Sequence, residues 1–195
     1  MSRCWQKCLR VDRQPCELFL PQAQKGTRSR PAMVEPQRLR AVLLTLLFIS
    51  SPWFAVQGWI LVGAPNPEHT ELPSCPEQTM NCASLSSAET VRMDASLTTV
   101  VSANVSEVWD AWMAWSEDNN LRESLTDEDG LFSHRVAITP FWRFPDDVVV
   151  QFTSQGNDTA IALYSASRLG QSDLGVNPDR LESLHAALLA VQRTS

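Results

Sequence analysis

The sequence predicts an α+β protein in which one membrane-spanning helix precedes an antiparallel sheet of about four strands with two helices on one face, in the order β-α-β-β-β-α. Three observations lead there. A run of 22 residues without charge, Ala41 to Val62 (AVLLTLLFISSPWFAVQGWILV), is long enough to cross a bilayer, which takes about 20 residues as a helix. Beyond it, two stretches with apolar residues at helical spacing bracket β-branched stretches joined by turn-like segments. The charge is also split. The 195 residues carry −6 in total, but residues 1–40 hold nine Lys or Arg against three acids, whereas residues 41–195 hold seven Arg against 19 acids. The acidic remainder excludes nucleic acid as a partner, because phosphate neutralisation needs a basic face. Five cysteines in this length are too few for a disulfide-built scaffold, so an apolar core must carry the fold.

Residues 1–40 read as a basic cytoplasmic leader. Within it, residues 1–32 hold three cysteines (Cys4, Cys8, Cys16) and little periodicity, and read either as a flexible segment or as an over-extended gene start with Met33 as the true beginning. Arg28, Arg30, Arg38 and Arg40 precede the span, and no Lys or Arg follows until Arg92. The positive-inside bias therefore puts the N-terminus in the cytoplasm and the large domain outside, which in a bacterium means an inner-membrane anchor and a periplasmic domain. Residues 41–63 are the expected helix, with a kink at Pro52, Trp59 near the headgroups, and Gln57 in need of a partner. A cleaved signal is the alternative to a retained anchor, but Val62-Gly63-Ala64 is a poor processing site with Pro65 behind it.

Gly63 to Thr70 reads GAPNPEHT, so residues 64–74 read as a Pro-rich linker, and the folded domain is expected over 75–195. Cys75 and Cys82 in CPEQTMNC read as a local disulfide in an oxidising compartment; the metal alternative lacks a second pair, with His69 the one histidine close in sequence. Val91 to Val101 partly alternates and predicts a strand. Asn104 with Glu107 makes a capping-box pattern before Val105, Val108, Trp109, Trp112 and Trp115, whose spacing predicts a helix with its tryptophans in the core rather than in a ligand box. The polar run Ser116 to Gly130 is expected to be a solvated loop, since its acids lack the calcium-loop order. Three further strands are expected at Leu131 to Ile138, Asp147 to Phe152 and Thr159 to Ala166, joined by PFWRFP and by a short hairpin loop at Gly156. The last helix is expected from Pro178 to about Gln192 with Asn177 as its N-cap. A long helix laid over such a sheet resembles helix-grip folds, which hold ligands between helix and sheet; the likeness is one of shape.

The least generic stretch is Ser165 to Asn177 (SASRLGQSDLGVN), with two glycines and short side chains suited to local backbone hydrogen bonds. Asp146, Asp147, Ser167, Arg168, Ser172, Asp173, Asn177 and Arg180 form the candidate polar cluster. Arg168 and Asp173 are placed to pair across the loop, and Arg180, in the first turn of a helix whose dipole repels it, is expected to reach Asp173, Asp146 or a ligand anion. Asp146 and Asp147 are adjacent on a strand and so face opposite sides. Together, CPEQTMNC, FPDD at 144–147 and SASRLGQSDLGVNPDRLESL at 165–184 make residues 75–192 resemble the domain of unknown function 1499, with one departure, Tyr164 where an Arg is common. The resemblance implies an association with membranes and envelopes and no reaction.

No G-x-S-x-G, H-E-x-x-H, P-loop or dinucleotide fingerprint is present, and the histidines are His69, His134 and His185, the last expected at the edge of the core. The expectation is a non-catalytic binding or assembly module, without cofactor or metal, whose partners are the lipid bilayer through residues 41–63 and an envelope protein or lipid-like ligand. The alternative is an enzyme or small-ligand domain acting on an anionic substrate through Arg168, Asp173 and Arg180.

Overall fold

The computed structural model describes residues 36–192; the expectations for residues 1–32, including the three cysteines and the start at Met33, lie outside the described residues. The chain divides into two units, Met1–Leu43 and Leu44–Ser195. The charge-free run is helical. Helix α1 (Pro36–Gly63) is the one described helix long and apolar enough to cross a membrane. It runs through Pro52 because its neighbour repairs the damage: Pro52 has no N–H for the Phe48 carbonyl, and Ser51 Oγ donates to that oxygen at 2.8 Å.

After α1 come β1 (Cys82–Leu85), β2 (Thr90–Val91), β3 (Val100–Val101), α2 (Val105–Asp118), β4 (Arg122–Asp127), β5 (Phe132–Ile138), β6 (Pro145–Gln155), β7 (Asp158–Ser167) and α3 (Val176–Leu189). The sheet is antiparallel in the order β2-β1-β7-β6-β5-β4, with β3 also pairing β7. The class is the expected α+β, but the described residues hold seven strands rather than four. The expected strand Val91 to Val101 is two short bridging strands, β2 and β3, separated by a turn in which Ser96 N–H bonds Asp94 Oδ1 and Leu97 N–H bonds the Asp94 carbonyl. The expected loop Ser116 to Gly130 contains β4, an edge strand with no apolar face to betray it: most of its residues are exposed, and a register shift interrupts it at Glu123/Leu125. The β6–β7 hairpin closes with Gln155 opposite Asp158, and Gly156 (φ 70) supplies the positive φ that its two-residue loop needs.

Helices α2 and α3 pack on one face of the sheet. Val108, Trp109, Trp112 and Trp115 are buried there against Val148, Val150, Phe152, Ile161 and Leu163, together with Leu181, Leu184 and Leu188. The tryptophan stripe is thus core, and Trp112 stacks on Trp115 at 5.9 Å between ring centroids. His185 is at the core edge, with Nε2 2.8 Å from the Thr98 carbonyl. The opposite face carries a smaller apolar set, Phe132, Val149 and Tyr164, with Leu72 and the Cys75–Cys82 disulfide packed over it. The segment expected to be a linker contributes here too, since the His69 ring lies 4.9 Å from that of His134.

Helix α3 begins at Val176, not at Pro178, and Asn177 is buried inside it rather than capping it. The cap comes from upstream: Asp173 Oδ1 and Oδ2 accept the N–H groups of Gly175 and Asn177, at 3.0 and 3.1 Å. Gly175 is the cap residue at φ 93, a conformation open to glycine.

Candidate functional site

The candidate polar residues fall into three groups, and β6 separates two of them. Asp146 and Asp147 are successive residues of one strand, so their carboxylates leave the sheet on opposite sides. On the helix side Asp146 accepts from Arg180 Nη2 at 2.8 Å. Arg180 Nη1 also reaches Ser165 Oγ and Asn177 Oδ1, while Asn177 Nδ2 donates to Ser167 Oγ and to the Asn81 carbonyl. This network ties α3 to β6, to β7 and to Asn81, the residue before β1.

On the other side Asp147 is held between two elements. Arg168, one residue beyond β7, donates to Asp147 through Nε and Nη2 at 2.7 to 3.1 Å, and His134 Nε2 stands 2.7 Å from Oδ1. The Asp147 and Arg168 side chains are 5% and 7% exposed. Arg168 Nη1 continues to Asn66 Oδ1, and His69 Nε2 lies 3.8 Å from Asp147 Oδ2. Burial drives the Asp147 carboxyl upward, but the hydrogen bonds from His134 and Arg168 and their charge outweigh it, so its pKa lies below the usual 3.8. Burial holds His69 below 6.5, against the pull of Asp147. Tyr164, beside this group, is pushed up to about 12 by burial and by the charges of Asp147 and Glu89.

The third group is Asp173, whose partner is Arg92, at 2.7 Å from Oδ1 and 3.1 Å from Oδ2. Burial raises the Asp173 carboxyl, while Arg92 and the two capping N–H groups bring it below 3.8. Ser172 accepts the Leu174 N–H and remains exposed. The expected Arg168–Asp173 pair does not form, because each finds a nearer partner anchored in the sheet or beside it. Arg168, Asp173 and Arg180 therefore serve three separate pairs and do not converge on one substrate. Asn66, His69, Asn81, Arg92 and His134 were not foreseen as members of these groups. One signal was available: His134 and Asp147 lie on strands joined by a six-residue connection, which brings them close in the register of a hairpin.

His69, His134 and Asp147 present three donor atoms within 4.8 Å of one another, close enough to hold a metal ion. Their surroundings do not suit one. The Arg168 guanidinium already occupies the Asp147 carboxylate, and a ligating His134 Nε2 would move the ring proton to Nδ1, which is buried without a partner, whereas metal-bound histidines normally donate through the second nitrogen.

An open recess lies at one end of the sheet between the helices. Trp115, Leu121, Ile138, Pro140 and Val176 line it, with the Arg180 side chain at its polar side. Among curated proteins none matches this chain. The sequence model of the family described as protein of unknown function, DUF1499, matches residues 61–188, which takes in the Asn66–His69 segment, the disulfide, every strand and nearly all of α3. By that match, over well more than half of its length, the chain belongs to the DUF1499 family.

Proposed function

We propose that the protein is a non-catalytic binding module of the cell envelope, anchored in the inner membrane by α1 with its N-terminus in the cytoplasm and its folded part in the periplasm, and that it takes a lipid-like ligand in the recess lined by Ile138, Pro140 and Val176. The observation that carries this reading is the state of the charged groups: the carboxylates of Asp146, Asp147 and Asp173 are each buried and engaged by an arginine, which leaves no poised acid, base or nucleophile in the candidate cluster. The open recess beside Trp115 and Val176 is lined mainly by apolar side chains, as an acyl chain requires. The Cys75–Cys82 disulfide supports an oxidising compartment, and the arginines before the charge-free run that starts at Ala41 support the orientation.

The test is lipid analysis by mass spectrometry on the full chain extracted from native membranes into nanodiscs. Val176→Trp fills the recess from an exposed position and should lower the retained amphiphile several-fold while the thermal midpoint stays put. Equal retention by both proteins would overturn the ligand reading, and a stoichiometric protein found in place of lipid would replace it with an assembly role.

A further inference from the structure

Between β5 and β6 the chain makes a tight excursion, Thr139 to Phe144, whose tip is apolar and outward: Phe141 is 66% exposed and Trp142 40%. A soluble domain gains nothing by presenting two adjacent aromatic rings to water. The backbone of this tip is closed off from within. Thr139 N–H bonds the Phe144 carbonyl, Arg143 N–H bonds the Thr139 carbonyl, Phe144 N–H bonds Thr139 Oγ1, and Pro140 has no N–H to satisfy. The carbonyls at the tip are met by α1. Trp53 Nε1 donates to the Phe141 carbonyl at 3.1 Å and Gln57 Nε2 to the Trp142 carbonyl at 2.8 Å, while Trp59 packs edge-on to Phe144 at 6.2 Å. Leu169, after β7, lies beside Gly63 at the end of α1.

Gln57 stands six residues before Gly63, about 9 Å along a helix that rises 1.5 Å per residue. A loop bonded at that level sits beneath the outer end of the apolar run. Irregular backbone is tolerated at such a depth only where protein groups satisfy it. Here the two solutions coincide: the polar side chains of an apolar helix, Trp53 and Gln57, find acceptors, and the tip carbonyls find donors. We propose that the loop Pro140–Phe144 is a membrane wedge, with Phe141 and Trp142 inserted among the acyl chains of the outer leaflet beside α1, so that the domain is seated on the bilayer rather than tethered above it. Arg143, exposed next to the tip, has the reach to return its guanidinium to the headgroups. The inference rests on the anchor reading of α1.

The experiment is spin-label accessibility on the full chain, with Cys4, Cys8 and Cys16 changed to Ser, in vesicles of phosphatidylethanolamine and phosphatidylglycerol. Three single sites are compared: Trp142→Cys at the tip, Leu47→Cys in α1, and Asp129→Cys in the β4–β5 turn, at the other end of β5. A membrane wedge gives Trp142→Cys an oxygen-to-nickel-chelate collision ratio several-fold above that of Asp129→Cys and close to that of Leu47→Cys. If Leu47→Cys reads lipid while Trp142→Cys reads water, the wedge is overturned and the anchor stands. If Leu47→Cys itself reads water, the anchor reading fails and the wedge with it.

Discussion

Asp147 and Arg168 illustrate what a buried ion pair does in this protein. Both side chains are nearly sealed from solvent, so neither can turn to water when its partner is lost. Asp147→Asn should therefore cost about 3–5 kcal/mol, mostly as the penalty of an uncompensated guanidinium, and Asp147→Asn combined with Arg168→Gln should recover part of that loss. Urea unfolding of the chain in detergent micelles measures both; equal midpoints for the single variant and the wild type would show that the pair contributes nothing. The pH dependence has two windows. Asp147 and Asp173 have folded pKa values below 3.8, so their contribution is complete above 3.8 and is lost as the pH falls through the folded values. His69 is lowered from 6.5, so the unfolded chain takes up a proton first. Stability should decline as the pH drops from 6.5 to the folded value and level off below it. His69→Phe should remove the decline just below pH 6.5 and leave the acid decline in place, and a variant that keeps the upper decline would assign it to another group.

At the scale of elements, the turn before α3 carries more than its composition suggests. Gly175 sits at φ 93 with open space where a Cβ would go, so Gly175→Ala introduces backbone strain without a clash, at a cost of about 1 kcal/mol. Asp173→Ala removes both cap acceptors and the partner of Arg92, and should lower the urea midpoint further than Gly175→Ala; the opposite order would mean that the cap is secondary to the turn. This junction also shows where sequence patterns stop being informative. Asn177-Pro178 has the form of a cap followed by a first helical residue, yet a buried carboxylate four residues upstream of Asn177 captured the role and freed Asn177 for the network with Ser165 and Ser167. The tryptophan stripe of α2 was legible because burial of one helix face imposes a period on it, and β5, β6 and β7 because strands largely buried on both faces fill with apolar and β-branched residues between turn signals. Strand β4 was not, since an exposed edge imposes none, and β1, β2 and β3 are too short to show a period.

At the scale of the molecule the apolar run before Gly63 was plain from its lack of charge, and so was the division of charge around it. The candidate cluster was legible as residues but not as pairs: the opposition of Asp146 and Asp147 follows from strand geometry, whereas the choice of Asp147 by Arg168 and of Asp173 by Arg92 depends on long-range packing that one sequence does not encode locally. The proposed orientation is testable in two independent ways. In the proposed orientation the arginines before Ala41 stay in the cytoplasm and the domain is exported, so alkaline phosphatase fused after Ser195 should be active and a green fluorescent protein fused there should be dark. The disulfide gives a second readout that needs no fusion. In an exported domain Cys75 and Cys82 are oxidised, and with Cys4, Cys8 and Cys16 changed to Ser a thiol reagent applied to cells quenched in acid should label the chain only after a reductant is added. Replacing Arg28, Arg30, Arg38 and Arg40 together with Gln weakens the retention signal and should shift a fraction of both readouts toward the cytosolic pattern. An inactive phosphatase and freely labelled Cys75 and Cys82 would reverse the orientation, while the Asp147–Arg168 and Asp146–Arg180 pairs, which owe nothing to compartment, would remain as they are.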